Sequence, residues 1–321
     1  MPKDIFPSTL TNNTPKGVYT CSTDRPWPRY TEIDPDRIFQ RRLKRKSWIF
    51  CSSYTADYYV GFAIVDAGYI AKAFCYVYDV KTGQRWEDSQ IRPLGFPHSF
   101  NGAQSTTWSL SNYLIQVGQN DIKLHFKGRQ FQIKWKIDLS TSGLLFICPS
   151  QGKNRPYHST FKNMTCNQDL QIKTKDQLIR INSSTASIDF SHGYPPRHTR
   201  WNWLSMTGVS DCGKNIGMNL VDQFNENMEN YMWIDGQVFP AGAVQFNYDK
   251  KQIDTDWSIK NDRSNINMNV HWQRSENLHI GILKSSFIQV MGSVKGTIKP
   301  PDSTLLSIHG FGVCEDHHSI W

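Results

Sequence analysis

The densest polar and aromatic stretch of this 321-residue sequence is DFSHGYPPRHTRWNW, Asp189 to Trp203. A strand beginning after Pro195-Pro196 would put Thr199, Trp201 and Trp203 on one face and His198, Arg200 and Asn202 on the other. One face is then an indole wall, and Asp189 and His192 lie just before the turn that leads to it. An indole wall stabilises cationic ligands or intermediates through its ring quadrupole. A carboxylic acid set against apolar rings stays protonated and can deliver that proton. Asp189 or His192 is therefore the expected proton donor, with Trp201 and Trp203 lining a pocket and Tyr194 and Thr199 beside them. Arg197 and Arg200 would hold a carboxylate or phosphate head group. The competing explanation is structural: tryptophans in the core, and an Arg/His face paired with carboxylates on neighbouring strands.

Two further clusters carry chemistry-bearing residues. In DQFNENMENYMWIDG, Asn225, Glu226, Asn227 and Glu229 crowd the mouth of a hairpin, where Asn227 could fix a ligand and the rest could simply cap loops. In EDHHSIW, Glu315 and Asp316 precede His317 and His318, a combination able to bind metal or move protons. Adjacent residues on a strand point to opposite faces, so one site cannot use all four; Asp316 is the candidate for polar fixing, and no metal site is expected. GVSDCGKN, Gly208 to Asn215, approaches a phosphate-binding loop. Asn215 replaces the Ser or Thr that would face magnesium, and no βαβ unit surrounds it, so a turn is expected. No nucleophile elbow, zinc-protease helix or dinucleotide fingerprint occurs, and no cofactor is expected.

The elements that must position these residues are strands. Ile122, Leu124 and Phe126 alternate with Lys123, His125 and Lys127; Phe131, Ile133, Trp135 and Ile137 alternate with Gln132, Lys134, Lys136 and Asp138. This is the period of a half-buried antiparallel hairpin. Lys81-Thr82-Gly83 and Asp235-Gly236 read as hairpin turns. About twenty short strands are legible, too many for one open sheet, and 41 aromatic rings supply rigid apolar surface for packing. The fold expected is all-β: two barrels or sandwiches, at 46–175 and 176–321, after an extended arm at 1–45 anchored by Trp27 and Tyr30. The junction is placed in the polar stretch 149–177.

No run approaches the length of an apolar membrane span, and MPKDIFPSTLTNN lacks a secretory apolar core. Seven scattered cysteines fit reduced, mostly buried thiols and a cytoplasmic protein. Net charge is +8, and residues 1–46 hold ten Lys/Arg against five Asp/Glu, a net +5. The source is RRLKRK, whose Arg41, Arg42, Lys44, Arg45 and Lys46 form either a solvated approach to the first strand or a patch for anionic membrane or RNA. No basic-aromatic RNA signature or zinc finger accompanies it, so nucleic acid ranks last among partners.

Four motifs in one order carry a family resemblance: RLKRKSW leading into AIVDAGYIAKAF, then RHTRWNW, then NENMENYMWIDGQVF, then GFGVCEDHHSIW. From about residue 30 onward the sequence resembles the bacterial family domain of unknown function 2804. That family is distantly similar to proteins with paired lipocalin-like β-domains, which include carotenoid hydratase-like and tocopherol cyclase-like enzymes. The resemblance implies two lipocalin-like domains and an apolar ligand in a barrel mouth or between domains. The expected function is binding of a hydrophobic or amphipathic small molecule, with acid-base chemistry of hydratase, cyclase or isomerase type and no redox cofactor. The alternative is a carrier or sensor that leaves its ligand unaltered, and the third reading is a structural module that docks on anionic membrane or nucleic acid through its basic arm.

Overall fold

The computed structural model describes residues 16–20, 43–93, 98–101, 105–118, 120–139, 141, 143–148, 158–182, 184–280, 283–301 and 303–320. The chain divides into two units, Met1–Pro195 and Pro196–Trp321. The first begins with β1 (Gly17–Thr20), β2 (Lys46–Tyr54), β3 (Tyr58–Asp66), β4 (Ile70–Asp79) and β5 (Arg85–Pro93). It continues with β6 (His98–Asn101), β7 (Ser105–Leu110), β8 (Tyr113–Val117), β9 (Asp121–Lys127) and β10 (Phe131–Asp138). β11 (Leu144–Cys148), β12 (His158–Thr174), β13 (Leu178–Ile181) and β14 (Thr185–Gly193) complete it. The second unit contains β15 (His198–Ser210), β16 (Asn215–Asp222), β17 (Tyr231–Ile234), β18 (Gln237–Pro240) and β19 (Gln245–Asn247). It ends with β20 (Trp257–Asn261), β21 (Ser264–Ile280), β22 (Leu283–Ile298) and β23 (Leu306–Ile320).

Each unit is one curled, wholly antiparallel sheet. In the first the strand path is β5-β4-β3-β2-β14-β12-β10-β9-β8-β7-β6, with β1, β11 and β13 as side branches. Its apolar cluster draws the inward residues of β2–β4 and of β7–β10 into one interior. The curl brings the edge strand β5 toward the other half of the path: the Tyr113 hydroxyl on β8 donates to Asp88 Oδ1 on β5 at 2.7 Å. In the second unit the order is β18-β17-β16-β15-β23-β22-β21-β20-β19, and one apolar cluster includes residues of β15–β17 and β20–β23. Tight coiling of its centre requires glycine: a Cβ on Gly292 would lie 1.9 Å from the Asn269 carbonyl oxygen, and one on Gly310 2.3 Å from that of Thr207.

The alternation at Ile122–Ile137 becomes the β9–β10 hairpin, with Trp135 opposite Leu124 and Lys134 opposite His125. Asp235-Gly236 turns β17 into β18, both residues at positive φ, and Gly208–Asn215 is the end of β15 and its turn into β16. The all-β, two-domain lipocalin-like architecture is therefore the one found. The stretch 149–177 does not behave as a linker where it is described. Residues 158–174 form the 17-residue β12, in which exposed Asn167, Asp169 and Lys173 alternate with buried Gln168, Leu170 and Ile172. β14 pairs with β12 and β2, so the boundary between the units falls after Pro195 rather than at 175/176. Residues 253–256 are a turn, and β20 starts at Trp257, whose Nε1 donates to the Ile253 carbonyl. Trp27 and Tyr30, expected to anchor the arm, lie outside the described residues.

Six cysteines are described, all as free thiols: Cys51, Cys75, Cys148, Cys166 and Cys314 are buried, and Cys212 is exposed. Among the described residues no helix is long and apolar enough to cross a membrane. The basic hexamer is partly spent inside the protein. Arg45 pairs with Asp66 at 3.2 Å, both 1% exposed, and Lys46 Nζ donates to the Leu43 carbonyl beneath the ring of Tyr69. Arg41 and Arg42 lie outside the described residues.

Candidate functional site

The alternation expected on Thr199–Trp203 is present, and the neighbouring strands extend it into rows. Residues directly opposite in an antiparallel ladder share a face. One face of β15, β23 and β22 therefore carries the rows Thr199–Ser319–Ser285, Trp201–His317–Phe287 and Trp203–Glu315–Gln289. The other carries His198–Ile320–Lys284, Arg200–His318–Ser286 and Asn202–Asp316–Ile288.

The tryptophan face is closed, and both of its indole N–H groups are satisfied. Trp201 Nε1 donates to Glu315 Oε2 at 2.9 Å, and Gln289 Nε2 to Glu315 Oε1 at 2.8 Å. Trp203 Nε1 donates to Asn219 Oδ1 at 2.8 Å, and Asn219 in turn donates to the Glu229 carbonyl. The His317 ring lies 4.0 Å from that of Trp201, with Nε2 against the Ser319 hydroxyl. Burial, with His318 adding to it, holds the His317 pKa down to about 3, so the ring is neutral. Phe224 covers Trp201 at 5.3 Å between ring centres. With both indole N–H groups spent and Trp201, Trp203, Glu315 and His317 all under 10% exposed, this face is the packed core of the competing explanation. Thr199 joins it, its hydroxyl donating to the Pro196 carbonyl.

The opposite face is open and graded. Arg200 and His318 are exposed cross-strand neighbours, and neither makes a hydrogen bond or ion pair among the described residues. One row further in, Asn202 Nδ2 donates to the Tyr248 hydroxyl at 2.9 Å, which itself donates to Asp316 Oδ2 at 2.7 Å. The Tyr248 ring lies flat on Trp257, 3.7 Å between centres and 2° from parallel. Burial and the Asp316 hydrogen bond push the Tyr248 pKa well up, so its proton is retained at every physiological pH. Asp316 and Tyr248 are half-buried. The next row, Leu204–Cys314–Val290, is fully buried and belongs to the apolar interior.

The remaining sequence candidates fall elsewhere. Asp189, expected as proton donor, is a buried member of an ion pair in the first unit, 2.5 Å from Lys162 Nζ. His192 lies on the opposite face of β14, with Nδ1 3.1 Å from the Ser47 hydroxyl and its ring stacked over Phe190. Neither belongs to the unit that carries Trp201 and Arg200. Tyr194 is buried and Arg197 exposed. Asn227 sits in the turn between β16 and β17, where Gln223, Asn225, Glu226 and Asn227 all take positive φ; its Oδ1 is buried with no hydrogen-bond partner. Of the expected ligand-binding residues, the structure brings Arg200 and Asp316 together. Asn202 and His318, read in the sequence but not singled out, join them. Tyr248 carries no local signal in the sequence, because 68 residues separate it from Asp316.

No curated protein sequence matches the chain. Among solved structures it is similar to kievitone hydratase from Nectria haematococca, at 13% identity and a TM-score of 0.54, over 86% of this chain and 88% of that one. It is also similar to the NE1406 protein from Nitrosomonas europaea, at 12% identity and a TM-score of 0.47, over 84% and 92% of the two chains. The first of these likenesses is one of fold. Residues 23–321 match the family model described as Domain of unknown function (DUF2804), and the chain belongs to that family.

Proposed function

We propose that the protein binds an amphipathic small molecule in the curl of its second sheet. An anionic head group meets Arg200 and His318, a polar segment meets Asn202, Tyr248 and Asp316, and an apolar body lies toward Leu204, Cys314 and Val290. The observation that carries this is the gradient down three adjacent strands, from the exposed Arg200 guanidinium and His318 ring, through buried Asn202 with half-buried Tyr248 and Asp316, to a fully buried apolar row. Guanidinium recognises carboxylate or phosphate by a charge-assisted fork. Concave sites that hold small molecules are mostly apolar with a few convergent polar groups.

The same triad supports acid-base chemistry of hydratase, cyclase or isomerase type. Tyr248 donates its proton to Asp316 and accepts from Asn202, so a ligand hydroxyl replacing Asn202 would donate to the phenol oxygen, and its proton could pass to Tyr248 as Tyr248 gives its own to the Asp316 carboxylate. A carrier without chemistry is the second reading. It is favoured by the four methionines of the interior, Met206, Met218, Met232 and Met268, which adapt to varied apolar shapes.

The test is to purify the protein natively, identify any retained small molecule by mass spectrometry, and incubate it with protein in D2O and in H2(18)O. Incorporation of deuterium or 18O, lost in Tyr248→Phe, supports the enzyme. Unaltered ligand supports the carrier, and affinity indifferent to Arg200→Gln refutes the site.

A further inference from the structure

The exposed face of the first unit's β9–β10–β12–β13 ribbon presents a continuous basic surface. Cross-strand register sets out its rows as Lys123–Lys136–Asp169, then His125–Lys134–Gln171–Arg180, then Lys127–Gln132–Lys173–Leu178. At ordinary strand spacing these residues fit within about 15 Å on a side. Lys123, Lys127, Lys134, Lys136, Lys173 and Arg180 are all exposed. Against these six cations stand Asp169 and, in the row beyond, Asp121 and Asp138. Asp121 lies 3.7 Å from Lys123 and 3.6 Å from Lys136. The local potential is felt within the face: after its own partial burial, Lys134 and Lys123 hold the His125 pKa down.

Two observations select the partner. These rows carry no phenyl, phenol or indole ring, so they offer no platform on which nucleic-acid bases stack. At their corner stands Leu178, 50% exposed and one of three large apolar residues so exposed among those described. It sits beside Lys173, with Lys175 and Asp176 at the hairpin tip and Arg180 two residues on. A bare leucine set among Lys173, Lys175 and Arg180, with Asp176 the one carboxylate at the tip, matches a bilayer surface, where the apolar tip enters the headgroup layer and the cations meet anionic lipid.

We infer that this face docks the protein on anionic membrane, which is also where an amphipathic ligand would be collected. The inference is independent of the ligand site, since it concerns the first unit alone. It moves the basic contact from the RRLKRK segment, two of whose cations are internally committed, to the sheet face.

The experiment is co-sedimentation of the full chain with vesicles of phosphatidylcholine, and of phosphatidylcholine with about 30% phosphatidylglycerol, at low and high salt. Binding is expected only to the anionic vesicles and is expected to weaken with salt. At about fivefold per cation, the triple variant Lys127→Gln, Lys134→Gln, Lys173→Gln should bind about a hundredfold more weakly. These lysines are exposed and make no ion pair among the described residues, and circular dichroism will verify that the variant folds. Leu178→Gln should cost about tenfold on vesicles and leave binding to single-stranded RNA unchanged. Equal binding to neutral vesicles, no binding to either, or an unaffected triple variant overturns the inference. RNA bound more tightly than anionic vesicles, with no effect of Leu178→Gln on vesicle binding, overturns it in favour of nucleic acid.

Discussion

Replacing His317 by Gln should remove a measurable part of the protein's acid sensitivity. In the folded protein the ring is packed against Trp201 and Phe287, 4.0 and 5.4 Å between ring centres, and protonates only near pH 3. In the unfolded chain a histidine protonates near 6.5. Between those values the unfolded state binds a proton that the folded state refuses, so stability rises with pH across this window and falls as acid is added. The slope for one such group is about 1.4 kcal/mol per pH unit. From pH 6.5 to 5 the wild type should therefore lose about 2 kcal/mol that the variant does not, while above pH 6.5 their difference should be flat. Carboxylates titrating in both proteins cancel in the comparison. Urea unfolding at pH 7.5, 6.5, 5.5 and 5.0, followed by tryptophan fluorescence, gives the two curves. If they run parallel from pH 7.5 to 5.0, then His317 is not held neutral by its surroundings, and the tryptophan face is not closed to water.

Asp189→Asn should destabilise the first unit by about 3–5 kcal/mol, because it leaves the Lys162 ammonium buried without its carboxylate; Lys162→Met with Asp189→Leu should recover most of that in chemical denaturation. Tyr248→Phe should lower stability by about 1–2 kcal/mol through loss of its two hydrogen bonds, measured by urea denaturation. Arg200→Gln should weaken binding of dodecanoate about tenfold and leave dodecanol unchanged, read by calorimetry; equal losses for both would remove the head-group role. Gly292→Ala should cost upwards of about 3 kcal/mol or prevent accumulation of folded protein, since its methyl would meet a neighbouring backbone oxygen, a contact relieved only by moving the strand.

Much of the fold is legible in local pattern. The β9–β10 hairpin follows from alternation alone, and Asp235-Gly236 names its own turn. β12 is misread because its outward residues are Asn, Asp, Gln and Lys, which mask the buried Leu170 and Ile172 between them. The candidate site is legible only by halves. Period two separates Trp201 and Trp203 from Arg200 and Asn202, and separates Glu315 and His317 from Asp316 and His318. It does not say which set faces the interior of the curl. That depends on the pairing of β15 with β23, more than a hundred residues apart, and on Tyr248 reaching both from beyond the edge strand β19. Asp189 looks like an acid beside an indole wall because the two are neighbours in sequence, yet the Pro195-Pro196 turn ends one unit and begins the next.

The placement of β23 between β15 and β22 carries a consequence for biosynthesis. The middle strand of the second sheet is made after every other strand of that sheet, so β15 to β22 leave the ribosome with two open inner edges, β15 and β22, facing each other across a gap. The β15–β16–β17–β18 and β19–β20–β21–β22 meanders can form as they appear, but neither can bury its central edge until Leu306–Ile320 arrives. Until then those edges can pair with other chains. Pausing of translation before residue 306 should therefore leave a species that chaperones capture, and insertion of β23 would lock both meanders and assemble Arg200, Asn202 and Asp316 in a single step.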